Sequence, residues 1–126
     1  MRKTIKSPKA PAPIGPYNQA ILAGNTLYVS GQIAINHQTG ELEIDSLEQE
    51  TKRVMHNLQA VLQEAGMDFK HLVKCSIFIS DMDDFAKINE LYGNYFDEAN
   101  APARETVEVA RLPKNVNVEI SAIAVK

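Results

Sequence analysis

Read for its alternation of apolar and polar positions, the chain divides into a stiff opening followed by seven regular segments. The first sixteen residues carry Pro8, Pro11, Pro13 and Pro16. Proline fixes its own φ and keeps the preceding residue out of the helical region, so Ala12-Pro13-Ile14-Gly15-Pro16 is expected to run extended and turn at Gly15, aiming Tyr17 in a defined direction. Ala20-Ile21-Leu22-Ala23 and Thr26-Leu27-Tyr28-Val29-Ser30 flank Gly24-Asn25, which predicts two strands joined by a tight turn. After a loop around Asn36-His37-Gln38-Thr39-Gly40, Ser46-Leu47-Glu48-Gln49 has the spacing of a capping box. From there Leu47, Thr51, Val54, Met55, Leu58, Val61, Leu62 and Ala65 recur at helical spacing, and Gly66 is placed as the left-handed stop.

The period falls to two over residues 72–80, where Val73, Cys75, Ile77 and Ile79 make one apolar face and Lys74, Ser76 and Ser80 point the other way. Residues 81–84 supply a cap and an acidic first turn for a second amphipathic helix traced by Phe85, Ile88, Leu91, Tyr92, Tyr95 and Phe96. Residues 105–109 and 116–125 alternate again, with Leu112-Pro113-Lys114-Asn115 as the turn between them. The order is ββαβαββ, an α+β domain with both helices on one face of a mixed sheet. No repeat or linker interrupts the chain after residue 16, and its length lies below the roughly 200 residues above which cores divide, so residues 1–126 are expected to form a single domain.

In the last two strands, Val107 and Val109 are odd-numbered, whereas Val118, Ile120, Ala122 and Ala124 are even. These strands are expected to pair antiparallel, and the two apolar sets then meet only where paired numbers have an odd sum, near ~225, a register that core burial selects. That register groups Arg104, Thr106 and Glu108 with Asn117, Glu119 and Ser121 on the other face and brings Thr106 beside Glu119. Such a face can simply meet water, with Arg104 and Glu119 forming a surface ion pair worth at most about 1 kcal/mol. Ile123 and Val125 share it, however, and a second copy of the protein is the obvious cover. In a cleft formed that way, Arg104 is a planar cation suited to gripping a carboxylate, and Glu119 is an acid able to orient water.

Composition narrows the classes. A chain 44% hydrophobic and 23% charged is too apolar for intrinsic disorder, and apolar runs such as Ile77-Phe78-Ile79 fall far short of the roughly 20 residues of a membrane helix. The positive first six residues lead into prolines rather than the apolar stretch of a signal peptide, which points to a cytoplasmic protein. Cys75 alone cannot close an intrachain disulfide and reads as a buried structural thiol. The net charge of −3 provides no global field to recruit nucleic acid, and Arg2, Lys3, Lys6 and Lys9 read as a solvated tail. His37, His56 and His71 lack metal-site spacing, the glycines form no phosphate loop, and Ser30-Gly31 is not a nucleophile elbow. No residue pattern demands a metal or cofactor.

Ile14-Gly15-Pro16-Tyr17, Tyr28-Val29-Ser30-Gly31-Gln32, Asn89-Glu90-Leu91-Tyr92, Pro102-Ala103-Arg104 and Val107-Glu108-Val109-Ala110-Arg111-Leu112-Pro113 together resemble the YjgF-type Rid proteins, above all the RidA group of reactive-intermediate imine deaminases. The likeness runs from Lys3 to Lys126 without a large insertion. It implies a chorismate-mutase-like fold assembled as a homotrimer with sites in the clefts between subunits. It also implies hydrolysis of 2-imino acids or their enamines, such as 2-aminoacrylate/2-iminopropanoate and 2-iminobutanoate, to 2-oxo acids and ammonia without metal or cofactor. By matching position, Arg104 would bind the substrate carboxylate and Glu119 would hold the attacking water, with Tyr17, Ser30, Gly31, Asn89 and Thr106 lining the pocket. RidA proteins often carry serine then cysteine after this arginine, whereas here Glu105 and Thr106 follow it. A threonine hydroxyl does not replace a thiolate nucleophile, although imine hydrolysis needs none, and Glu105 adds charge near the mouth. Two other readings stay open. One is a regulatory module that binds small carboxylates in the same cleft without turnover. The other is cleavage of single-stranded RNA, an activity attributed to some relatives, against which the acidic balance and the lack of a basic, aromatic-lined groove both count.

Overall fold

The computed structural model describes residues 1–126 and begins with a strand that the hydropathy pattern does not reveal. β1 (Arg2–Ile5) pairs antiparallel with β2 (Ala20–Ala23), and only Ile5 of its four residues is buried. Backbone pairing along an open edge holds this strand, so its side chains carry little signal. β2 and β3 (Thr26–Gln32) form the expected hairpin, with Gly24 at a φ of 62°, which glycine adopts without steric cost. Gly15 turns the arm as expected at a φ of 122°.

Helix α1 (Leu47–Glu64) starts at Ser46, whose side chain accepts the Gln49 N–H, and is followed by Gly66 at a φ of 72°. Its buried face includes Val54, Met55, Leu58, Val61 and Leu62. β4 (Leu72–Ile79) buries Cys75, Ile77 and Ile79 as its alternation predicts, but a register irregularity between Leu72 and Lys74 puts Leu72 inside and leaves Val73 46% exposed. Helix α2 (Phe85–Gly93) is shorter than its apolar spacing suggests. Tyr95 and Phe96 lie just beyond it, in turns whose N–H groups bond to Tyr92 and Gly93, and both still pack on the core. No helix is long and apolar enough to cross a membrane.

The final strands, β5 (Ala103–Glu108) and β6 (Val118–Val125), do not pair with each other as their spacing suggests. The six-stranded sheet has the order β1-β2-β3-β6-β4-β5, with β4 between them. β5 runs parallel to β4 along the edge, and β6 inserts antiparallel between β3 and β4. The expected α+β architecture stands, with one extra strand. The expected contact between Thr106 and Glu119 does not: Thr106 is opposite Ile77, whereas Glu119 and Val107 are both opposite Phe78.

This insertion is secured by a buried acid. Glu50, on α1, is fully enclosed, and its carboxylate accepts the Asn117 N–H at 2.7 Å, the Asn117 side-chain N–H at 2.7 Å and the Val118 N–H at 3.1 Å. Hydrogen bonds to a charged group contribute about 1.5–3 kcal/mol each. Three of them fix the entry to β6, and with it the placement of Glu119 two residues past Asn117.

Candidate active site: two half-sites on opposite sheet faces

Residues directly opposed across neighbouring strands share a face. Cys75 is opposite Arg104 on one side and Ala122 on the other, and both Cys75 and Ala122 are buried in the core beneath the helices. Arg104 and Thr106 therefore emerge on the helix side. Glu119 shares its row with Phe78 and Val107 and emerges on the opposite face. Three residues along β6 and two strand spacings across put the two α-carbons roughly 14 Å apart. The grouping of Arg104 and Glu119 on one face is thus corrected. Alternation reports the parity of a strand but not its neighbour, and the inserted β4 reverses the parity expected for β5. Val107 belongs to the open face, where it is 39% exposed, and Val109 lies just past the end of β5.

On the open face, Glu119 lines a cleft of ≈ 390 Å³ together with Pro13, Ile14, Tyr17, Gly31 and Lys114. The arm forms one wall, and Gln19 holds it there. The buried Gln19 side chain accepts the Ser7 N–H at 2.6 Å, and its amide nitrogen donates to carbonyls of Ser7, Ala10 and Pro11 at 3.2, 3.3 and 2.9 Å. Ser30 ties the end of the arm to β3: its hydroxyl donates to the Asn18 carbonyl at 2.6 Å. Between Val29 and Gln32 the ladder with β6 slips by one residue, a bulge at Ser30 and Gly31 that brings the backbone of Gly31 against Glu119.

Gly31 shapes this half-site by what it lacks. A methyl group there would collide with Oε2 and the carboxyl carbon of Glu119. Because the obstructing atoms end a flexible side chain, Gly31→Ala is expected to fold with little change in thermal midpoint while displacing the carboxylate. Any turnover that depends on the Glu119 carboxylate should fall nearly as far as when the acid is removed, which parallel measurements of melting temperature and turnover will show.

Burial alone pushes the Glu119 carboxyl above the ordinary glutamate range. The carboxyl is thereby suited to holding and passing a proton closer to neutral pH. Lys114 reaches this cleft from a short turn in which it and Asn115 both take left-handed conformations, with φ of 55° and 57°. The sequence pattern marks that segment only as a turn.

On the helix side, Arg104 opens onto a second cleft of ≈ 530 Å³ with Asn89, Tyr92, Phe96 and Pro102. Its guanidinium donates one hydrogen bond, Nη1 to Asn89 Oδ1 at 2.6 Å, and has no carboxylate partner among the ion pairs of the chain. Thr106 Oγ1 is shielded from solvent and makes no hydrogen bond. A buried hydroxyl without a partner is uncommon in native proteins. Glu105 does not charge this cleft. It faces the other way, paired with Lys74 at 2.9 Å and accepting from the Ser76 hydroxyl, and these contacts hold its carboxyl below the usual range.

Cys75 lies beneath this cleft, fully buried, and burial pushes its thiol up, so it is an inert core group as expected. His71 Nδ1 accepts the Asp68 N–H and caps a short turn, and His56 is exposed on α1. No cluster of three or more His, Cys, Asp or Glu is arranged to hold a metal ion. Tyr17, Gly31 and Glu119 therefore gather at one cleft, with Ser30 bracing its wall, and Asn89 and Arg104 line the other, whereas Thr106 shares the sheet face of Arg104 but lies outside that lining.

The chain is similar to known proteins over nearly its whole length. A RutC family protein of Synechocystis is 54% identical over 98% of this chain and 95% of its own length. The rat 2-iminobutanoate/2-iminopropanoate deaminase is 44% identical over 100% of this chain and 91% of its own. The crystal structure of Escherichia coli TdcF with bound serine superposes with a TM-score of 0.92 at 42% identity, covering 98% of each chain. Residues 7–126 match the family described as Endoribonuclease L-PSP, the YjgF-type Rid proteins, and the chain belongs to that family.

Proposed function

We propose that the protein is an imine deaminase that hydrolyses small 2-imino acids, such as 2-iminopropanoate and 2-iminobutanoate, to 2-oxo acids and ammonia. The observation that carries this reading is the Arg104 guanidinium, open to a cleft and without an ion-pair partner, in a chain 44% identical to a protein named for this activity. In the proposed site Arg104 binds the substrate carboxylate through two parallel hydrogen bonds. Water attacks C2 of the protonated imine, and Glu119 accepts its proton as the C–O bond forms. That proton passes to nitrogen, and as the C–N bond breaks the hydroxyl oxygen forms the C=O bond and gives up its own proton through Glu119 to the departing ammonia, so an iminium and water become a 2-oxo acid and ammonium. Tyr17, Ser30 and Gly31 shape the Glu119 side, and Asn89 and Thr106 the Arg104 side.

Because one chain holds its two half-sites on opposite faces, the reading requires two copies at each site, and we propose a homotrimer with three such clefts. The open sheet face supports this, since Tyr28, Val107 and Val125 are 51%, 39% and 37% exposed there. The testing experiment is release of ammonia and 2-oxo acid from an imino acid generated in situ. Turnover above the uncatalysed rate is expected, and equality with that rate overturns the proposal. The serine bound to TdcF favours a second reading, a sensor of small carboxylates. Calorimetric binding of a 2-oxo acid without turnover would select it. Ribonuclease activity has names alone behind it, that of the family and those of two solved relatives, and RNA cleavage that survives rigorous repurification and Arg104→Ala would support that instead.

A further inference from the structure

Arg104 is held in a way that orients it without consuming its charge. Phe85, Asn89 and Tyr92 are spaced four and three residues apart on α2 and so share one helix face. The Arg104 guanidinium carbon lies 5.8 Å from the centre of the Phe85 ring and 5.3 Å from that of Tyr92, and Asn89 Oδ1 accepts its one hydrogen bond. The Tyr92 ring is itself fixed. It is buried, lies 4.8 Å from the Phe96 ring, and Phe96 in turn packs edge-on against Phe69 at 5.9 Å.

Every partner in this seat is neutral. Two aromatic faces and an amide oxygen attract a guanidinium, yet none removes its net positive charge, as an aspartate or glutamate in their place would. A guanidinium has five N–H donors, and this seat uses one. The remaining donors and the full charge are kept for an incoming anion.

We infer that Phe85, Asn89 and Tyr92 are positioning residues, a charge-neutral seat on α2 that presets Arg104 for the carboxylate of its ligand. The inference deepens the proposed function and rests on it. It assigns ligand affinity in part to Tyr92 and Phe85, two residues that read as core packing, and it changes the role of Asn89 from a wall of the pocket to a support for the cation.

The test uses full-length protein, calorimetric binding of 2-oxobutanoate, the KM and kcat for imino acid hydrolysis, and the melting temperature of each variant. Asn89→Asp is the decisive substitution because it preserves shape and the contact to Arg104 while neutralising the cation. It should fold at least as stably as the parent, yet weaken 2-oxobutanoate binding and raise KM by about tenfold or more, with kcat changed less than about threefold. Tyr92→Leu should raise KM several-fold, and Tyr92→Phe, which keeps the ring, should restore it. A merely structural role predicts the reverse for Asn89→Asp, a stronger contact and unchanged affinity. That result, or equal KM values for Tyr92→Leu and Tyr92→Phe, overturns the seat. Arg104→Ala separates the two levels: if it leaves binding intact, the functional reading itself fails, whereas if it abolishes binding and the seat variants do not, only the seat is lost.

Discussion

Arg104→Ala is expected to lower kcat/KM for a small 2-imino acid by about 10²- to 10⁴-fold. Two charge-assisted hydrogen bonds of roughly 1.5–3 kcal/mol each are removed, and each 1.4 kcal/mol is about a factor of ten. Most of the loss should appear in KM. The carboxylate keeps its charge from bound substrate to transition state, so a group that grips it stabilises both alike. The protein should remain folded, because Arg104 is exposed on an edge strand and its contacts are to α2. Arg104→Lys should fall between the two, since lysine keeps the charge but not the planar fork. Steady-state assays of ammonia release, with thermal melts as the control for folding, measure this. An unchanged kcat/KM would remove the anchor from the account.

Glu119→Gln should act on the other parameter, lowering kcat by on the order of 10²-fold or more, the usual worth of a positioned proton acceptor. The wild-type rate should fall on acidification through the Glu119 pKa, which burial raises above the ordinary glutamate value. The variant should lose that acid limb. A stability effect of opposite sign accompanies it. A carboxyl whose folded pKa exceeds its unfolded value binds more protons when folded, so it favours folding below the unfolded pKa, and that contribution is lost as pH rises through the folded one. At neutral pH the wild type therefore holds a partly desolvated charge that glutamine does not carry. Glu119→Gln should melt higher than wild type at pH 7, with the gap closing as pH falls toward the ordinary glutamate range. An acid limb that persists in the variant would assign the titration to another group.

The features that survive from pattern to structure are those set by neighbours in the chain. Ser46 and Gly66 bound α1, Gly24 closes the β2–β3 hairpin, and Cys75, Ile77 and Ile79 face inward, because caps, positive φ and two-residue alternation are local physics. What stays hidden depends on distant partners. The Arg2–Ile5 strand exists through backbone pairing with β2, and its charged side chains conceal it. Glu50 and Asn57 fall outside the apolar pattern of α1, yet both are fully buried, because each has backbone to satisfy: Glu50 the entry to β6, and Asn57 the Ile33 and Ile35 carbonyls at 3.0 Å each.

The candidate site shows the same division. Arg104 and Glu119 stand out as chemistry, but their geometry depends on the insertion of β6 between β3 and β4, which parity in β5 cannot report. Gly31 offered a signal, since glycine within a strand marks a bulge or a close approach. What approaches it is Glu119 from a neighbouring strand, which no short-range pattern specifies. Gln19, which clasps the arm, carries no local signature, and Lys114, at the mouth of the Glu119 cleft, shows in the pattern only as part of a turn.

The most direct test of a site shared between copies is complementation. Arg104→Ala and Glu119→Gln chains, each strongly impaired alone when assayed at substrate well below KM, are unfolded, mixed in equal amounts and refolded together. If every site takes Arg104 from one protomer and Glu119 from its neighbour, random assembly around a closed ring leaves roughly a quarter of the sites with both groups intact, and the mixture should regain about that fraction of wild-type turnover. A mixture no more active than its two components refolded separately would mean that the two residues do not meet across an interface.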